Sequence, residues 1–133
     1  MREATLYDQV GGMPFFDRLV ERFYRGVASD PVLRPLYPEQ EDFSGPRRRL
    51  TLFLVQYWGG PTTYLEERGH PRLRARHSPF SIGEPERDRW LAHIREAIDA
   101  SDAPADAKRQ LHVYMTKAAD AMRNREDGEP PTP

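Results

Sequence analysis

The sequence predicts an all-α domain, on three observations. Apolar residues recur at steps of three to four in four separate stretches, the spacing that lines one face of an α-helix. No run of about four to eight residues alternates convincingly between apolar and polar, as a half-buried strand does. Glycine pairs and prolines punctuate the chain where the helical stretches stop. A chain of 133 residues suits one domain with one core. We expect that domain over residues 1–125 and a disordered tail over 126–133, where three prolines stand and nothing is available to pack.

Leu6, Tyr7 and Val10 predict a short first helix that stops at Gly11-Gly12, because paired glycines tolerate the left-handed conformations of a sharp turn. The strongest period runs from Pro14 to Ala28. There Phe15, Phe16, Leu19, Val20, Phe23, Tyr24 and Val27 share one face, and Arg18, Glu21, Arg22 and Arg25 fill the other. Pro14 suits the first turn of that helix. Between Asp30 and Pro46, four prolines (31, 35, 38 and 46) favour short turns over a long helix. Leu50, Phe53, Leu54, Tyr57 and Trp58 restore the helical period from about Pro46 until Gly59-Gly60-Pro61 ends it. Thr62 to Arg68 makes a further turn or two, ahead of a polar and basic segment from Arg68 to His77. Trp90, Leu91, Ile94, Ala97 and Ile98 form the stripe of a long helix, opened either by Ser81 with Glu84 as a capping box or by Pro85 at the first helical position. Leu111, Tyr114, Met115, Ala118, Ala119 and Met122 form the last, with Asp102 and Pro104 as start signals.

Composition narrows the function. Twenty basic against 21 acidic side chains, net −1, give no overall field toward nucleic acid or an anionic membrane. The absence of cysteine excludes a disulfide scaffold, a Cys-ligated metal and a thiol nucleophile. The first ten residues carry no apolar signal region, and the run from Leu50 to Val55 is too short to span a bilayer, so we expect a soluble cytoplasmic protein. Only 20 residues are Val, Ile or Leu, while six Phe, six Tyr and two Trp supply much of the apolar area. The core is short of aliphatic material.

Of the four histidines, His93 and His112 read as ordinary surface or satisfied core residues. His77 differs, because Arg74-Ala75-Arg76-His77-Ser78-Pro79 places it where a short helix runs into a proline, with apolar Phe80 and Ile82 following. An imidazole on a short restrained segment facing a helix bundle is what an axial metal ligand requires. A di-iron bundle fails, since Glu67 with His70 is the single Glu-x-x-His pair and Gly69 and Pro71 break any helix there. No serine stands in a nucleophile elbow, and neither glycine pair has phosphate-loop spacing. Arg47-Arg48-Arg49 and Arg72/Arg74/Arg76 read as a solvated face, as a nucleic-acid surface or as partners for a cofactor's carboxylates; near-neutral total charge favours the last over nucleic acid. Tyr24 and Trp90 sit on inward stripes and bring buried donors that want an acceptor.

These residues together resemble the truncated haemoglobins, most closely the group II branch, over nearly the whole chain from Leu6 to about Arg123. The words that carry the likeness are Tyr7-Asp8-Gln9-Val10-Gly11-Gly12, Arg22-Phe23-Tyr24, Leu36-Tyr37-Pro38, Phe53-Leu54-Val55-Gln56-Tyr57-Trp58-Gly59-Gly60-Pro61, Arg68-Gly69-His70-Pro71-Arg72-Leu73-Arg74, Arg76-His77-Ser78-Pro79-Phe80 and Glu86-Arg87-Asp88-Arg89-Trp90-Leu91. The resemblance implies a shortened globin fold, a two-over-two sandwich of antiparallel helices around haem b. It makes His77 the iron ligand, Tyr24, Tyr37 and Trp90 the distal hydrogen-bonding set, and Leu50 and Phe53 the distal lining. Pro46 falls about where many globins place a distal histidine and group II proteins usually carry a small residue. Arg49 and Arg76 are assigned to the haem propionates. The implied function is binding of oxygen and other small ligands (nitric oxide, sulfide, peroxide), with oxygen transport or a nitric oxide dioxygenase or peroxidase-like detoxifying activity as alternatives. A reductase is the implied protein partner, with no nucleic acid and no membrane, and the chain is expected as a monomer or homodimer. A haem-free helical interaction module is the alternative of a different class.

Overall fold

The structure is a computed structural model and describes residues 4–37, 43–70, 72 and 82–123. Its elements are α1 (Leu6–Gln9), α2 (Met13–Ala28), a 3-10 turn (Arg34–Leu36), α3 (Ser44–Tyr57), α4 (Thr63–Arg68), α5 (Glu84–Ala100) and α6 (Ala105–Ala121). Among the described residues there is no strand, and none of the helices is long and apolar enough to cross a membrane. The expected helix-to-proline segment at Arg74 to Pro79 and the expected tail at 126–133 lie outside the described residues.

The helix α2 packs against both α3 and α5, α5 packs against α6, and α4 folds onto α3. All seven apolar positions of the α2 stripe are buried, and Phe16, Val20, Phe23 and Val27 have no solvent exposure at all. Ile94 and Ile98 of α5 and Leu111 of α6 are equally enclosed, so one apolar body runs across the two helix layers. Removing side chains of this size from water stabilises the fold by about 1.5–3 kcal/mol each.

Local signals set the ends of the helices. Thr5 opens α1 as a capping box, its hydroxyl accepting the Asp8 N–H at 3.2 Å and the Asp8 carboxylate accepting the Thr5 N–H at 3.1 Å. The helix α5 begins at Glu84, with Pro85 in the first turn, which is the second of the two expected openings. Its cap is Gly83, whose N–H donates to the Glu86 carboxylate at 2.8 Å. Pro104 stands at the start of α6.

The second glycine pair does more than end α3. The Tyr7 N–H donates to the Trp58 carbonyl at 3.0 Å, laying α1 across the end of α3. Gly59 adopts φ +104°, and a Cβ there would lie 2.6 Å from the Thr5 Cβ. Both conformation and space demand glycine. Beside it, Tyr57, Trp58 and Tyr114 clamp the end of α3 onto α6, with ring centroids 4.1 Å apart for Tyr57 and Tyr114 and 5.6 Å for Trp58 and Tyr114. The buried Trp58 Nε1 has no hydrogen-bond partner among the described residues. Burial, helped by the neighbouring Tyr57, pushes the Tyr114 phenol up to about 12.

Two outcomes are expected. Gly59→Ala should destabilise the chain by about 2 kcal/mol or more, from left-handed strain plus the clash with Thr5, read in chemical denaturation. Tyr114 keeps its proton to about 12 when folded, against about 10 unfolded, so across that window the unfolded chain loses its proton first and stability falls as pH rises. Tyr114→Phe should flatten that alkaline decline in urea midpoints, and an unchanged slope would remove Tyr114 as its source.

Candidate functional site

A cavity of about 380 Å³ opens between the helix layers. One face of α3 supplies Pro46, Arg49, Leu50 and Phe53, which the three-to-four spacing of a helix brings into line. From α2 comes Tyr24, from the end of the 3-10 turn Tyr37, and from α5 the successive-turn pair Glu86 and Trp90. The wall from α6 is Tyr114, Met115, Ala118, Ala119 and Met122. Small alanines on that helix leave room where larger side chains would fill the space.

Three donors meet at one end of this cavity. The Tyr24 and Tyr37 rings stand edge-on at 5.5 Å, and Phe23 holds Trp90 edge-on at 5.3 Å. Burial pushes the Tyr37 phenol above its ordinary value, opposed in part by its hydrogen bonds with the Tyr24 hydroxyl and the Trp90 indole N–H. Tyr37 is therefore a neutral phenol near pH 7. An indole N–H can only donate, so the Trp90 bond ends on the Tyr37 oxygen and does not use the Tyr37 O–H.

Cations lie along the cavity as well. Arg49, Arg68 and Arg87 all line it. Arg87 is held by Asp88 at 2.7 Å and Asp120 at 2.5 Å, and these carboxylates raise its pKa. Of the sites expected from the sequence, Tyr24, Tyr37, Trp90, Pro46, Leu50, Phe53 and Arg49 all line this one cavity, whereas His77 and Arg76 lie outside the described residues. Sequence reasoning does not assign Arg68, Arg87, Tyr64 or Tyr114 to the site. Only the inward position of Tyr114 on its helical stripe hints at it.

The remaining candidates resolve into ordinary pairings. His112 Nε2 meets the Asp99 carboxylate at 2.8 Å and His93 Nε2 meets Asp30 at 2.7 Å. Glu67 is bound by Arg48, which engages both a di-iron candidate and one member of the Arg47-Arg48-Arg49 cluster. Among the described residues no group of three His, Cys, Asp or Glu could hold a metal ion. Asp30, 4% exposed, is the one deeply buried carboxylate described. Burial raises its pKa, but hydrogen bonds from Arg89, His93 and the Val32 and Leu33 N–H groups outweigh that and hold it well below the usual carboxylate range.

A mostly apolar chamber with convergent donors at one end and guanidinium groups along its wall fits a flat apolar ligand that carries carboxylates. The comparisons with known proteins identify that ligand. Residues 5–124 match the model of the bacterial-like globin family. A group 2 truncated haemoglobin of Bacillus subtilis is 38% identical over 118 residues, covering 89% of this chain and 88% of that protein. The solved thermostable haemoglobin of Thermobifida fusca is 57% identical with TM-score 0.89, covering 95% of this chain and 100% of that one. The truncated oxygen-avid haemoglobin of Bacillus subtilis is 37% identical with TM-score 0.84, covering 91% and 100%. The described helices are thus those of the shortened two-over-two globin fold. Haem b is the cofactor of this family, and the lining residues suit it: apolar and aromatic side chains for the ring, arginines for the propionates. In fold, in matched length and in the cavity between its helix pairs, the chain belongs to the bacterial-like globin family.

Proposed function

We propose that this chain binds oxygen and other small ligands, nitric oxide, sulfide and peroxide among them, with His77 as the iron ligand and Tyr24, Tyr37 and Trp90 as the distal donors. The observation that carries the reading is the convergence on Tyr37, which is hydrogen-bonded to both Tyr24 and Trp90. Haem, when bound, would supply an iron able to take a protein imidazole and a small ligand, with His77 as the residue that would hold it. The chain's own residues decide how long a ligand stays. Tyr37, a neutral phenol that takes the Trp90 N–H on its oxygen, carries an O–H that can donate to a ligand with partial negative charge. Tyr24 and Trp90 hold the phenol in place, and the Trp90 donation polarises it. Arg49 and Arg76 are assigned to the propionates. Leu50 and Phe53 give the distal side an apolar wall, and Pro46 offers no side-chain donor there.

The same donors stabilise anionic ligands on oxidised iron, which makes nitric oxide or peroxide detoxification with a reductase the second reading. The neutral Tyr37 phenol in the cavity could also offer a proton to such a ligand. Turnover of nitric oxide by the oxygenated protein, measured with a reducing system present, separates that activity from reversible binding.

Three outcomes test the proposal. Trp90→Phe removes one of the two hydrogen-bond partners of Tyr37, so stopped-flow oxygen release should become about tenfold faster, the worth of one hydrogen bond of this kind; an unchanged rate would take Trp90 out of the mechanism. His77→Ala should abolish the five-coordinate spectrum of the reduced protein, and its retention would end that assignment. Removal of haem should lower the melting temperature markedly, because a ligand that binds only the folded chain stabilises it.

A further inference from the structure

The geometry points to Asp30 as the positioning residue of the distal donor set, an assignment that rests on the ligand-binding reading above. Asp30 stands just beyond α2, and its Oδ1 accepts the Val32 N–H at 2.8 Å and the Leu33 N–H at 3.3 Å. Its backbone carbonyl accepts the Arg34 N–H at 2.9 Å. These bonds fold the chain into the 3-10 turn that ends at Tyr37. The other carboxylate oxygen reaches across to α5, taking Arg89 Nε at 3.0 Å and His93 Nε2 at 2.7 Å. Arg89 and His93 lie one helical turn apart, and Trp90 directly follows Arg89. A single buried carboxylate therefore joins the turn that delivers Tyr37 to the helix that delivers Trp90.

The crossing of α2 and α5 is shaped around this contact. A Cβ on Gly26 would stand 2.3 Å from His93 Nδ1, so only glycine lets the imidazole lie against α2 on its way to Asp30. Stability alone does not call for this arrangement, since apolar groups of matching shape often replace a buried ion pair without loss. What an apolar replacement lacks is direction. Four donors meeting two oxygens fix the separation and orientation of the two elements they join, and a hydrogen bond between Tyr37 and Trp90 weakens steeply as its angle departs from linear.

Asp30→Asn in the haem-loaded protein tests the assignment, with Trp90→Phe as the second arm of a double-mutant cycle. Two quantities are read: oxygen release by stopped flow, and hydrogen exchange of the Trp90 indole N–H by NMR in the reduced carbon monoxide form. Asp30→Asn should speed both by about tenfold, the consequence of weakening one such bond, while the exchange of Trp58 Nε1–H, buried elsewhere, stays unchanged. In the Trp90→Phe background the same substitution should alter release by less than about twofold, because the bond it positions is already gone. A lowered melting temperature with release and Trp90 exchange both unchanged would overturn the assignment, as would two effects that simply multiply. Should Asp30→Asn fail to fold, Arg89→Met removes one partner from a half-exposed position and should speed both readouts about threefold. If Trp90→Phe leaves release unaltered, the ligand-stabilising reading fails, and the Trp90 exchange still decides whether Asp30 positions that bond.

Discussion

The burial of Phe16, Val20, Phe23 and Val27, none of them exposed to any degree, between α3 and α5 fixes α2 in rotation and in height. Every other part of the site is measured from that helix. One residue beyond Phe23 on the same stripe, Tyr24 is packed in the core and lines the cavity. Phe23 itself meets Trp90 edge-on, so the core contact that holds α2 to α5 also sets the indole. Two residues past the end of α2, Asp30 ties the next turn back to α5. A shift of α2 by one residue would move Tyr24, Trp90 and the turn that carries Tyr37 together.

Ion pairs across the helices add register rather than strength. Arg22 and Glu96 join α2 to α5 at 2.5 Å, Arg87 and Asp120 join α5 to α6, and Arg48 and Glu67 join α3 to α4. Each has at least one half-exposed partner, where such pairs contribute little to stability. Their placement matters more. The helix α5 is linked to both α2 and α6, and α3 to α4.

Much of this was legible in the sequence, and the rest was hidden for definite reasons. The stripe of α2 and the stops at both glycine pairs follow from spacing and from the backbone freedom of glycine, which are local properties. Tyr24 and Trp90 could be read as inward donors from their helical positions alone, and the structure buries Tyr24 and half-buries Trp90. The role of Asp30 could not, because its partners Arg89 and His93 lie 59 and 63 residues away and periodicity names a face without naming what it meets. An Asp-Pro step followed by Val32 and Leu33 signals a turn, and nothing in it signals a buried carboxylate. Arg68 and Arg87 were hidden in the same way. Ala118 and Ala119 carry a second meaning: Ala119 is in the core as the α6 stripe implies, and both are also small residues lining the cavity.

The shortage of Val, Ile and Leu acquires a physical meaning from that room. A chamber of about 380 Å³ lined chiefly by aromatic, aliphatic and alanine side chains is apolar surface that the helices do not cover for themselves, so part of the core is left to a bound group. Such a chamber penalises charge, and this penalty pushes the Tyr37 phenol above its ordinary value. The same low polarity makes each hydrogen bond inside it stronger than in water. The aromatic residues are therefore suited to two tasks at once. Their rings supply flat apolar walls, and the Tyr and Trp polar tips supply donors without bringing a charge into the chamber. An arginine or lysine in place of Tyr37 would donate as well, but its cation would need a counter-charge within the pocket, and the space would then belong to the ion pair.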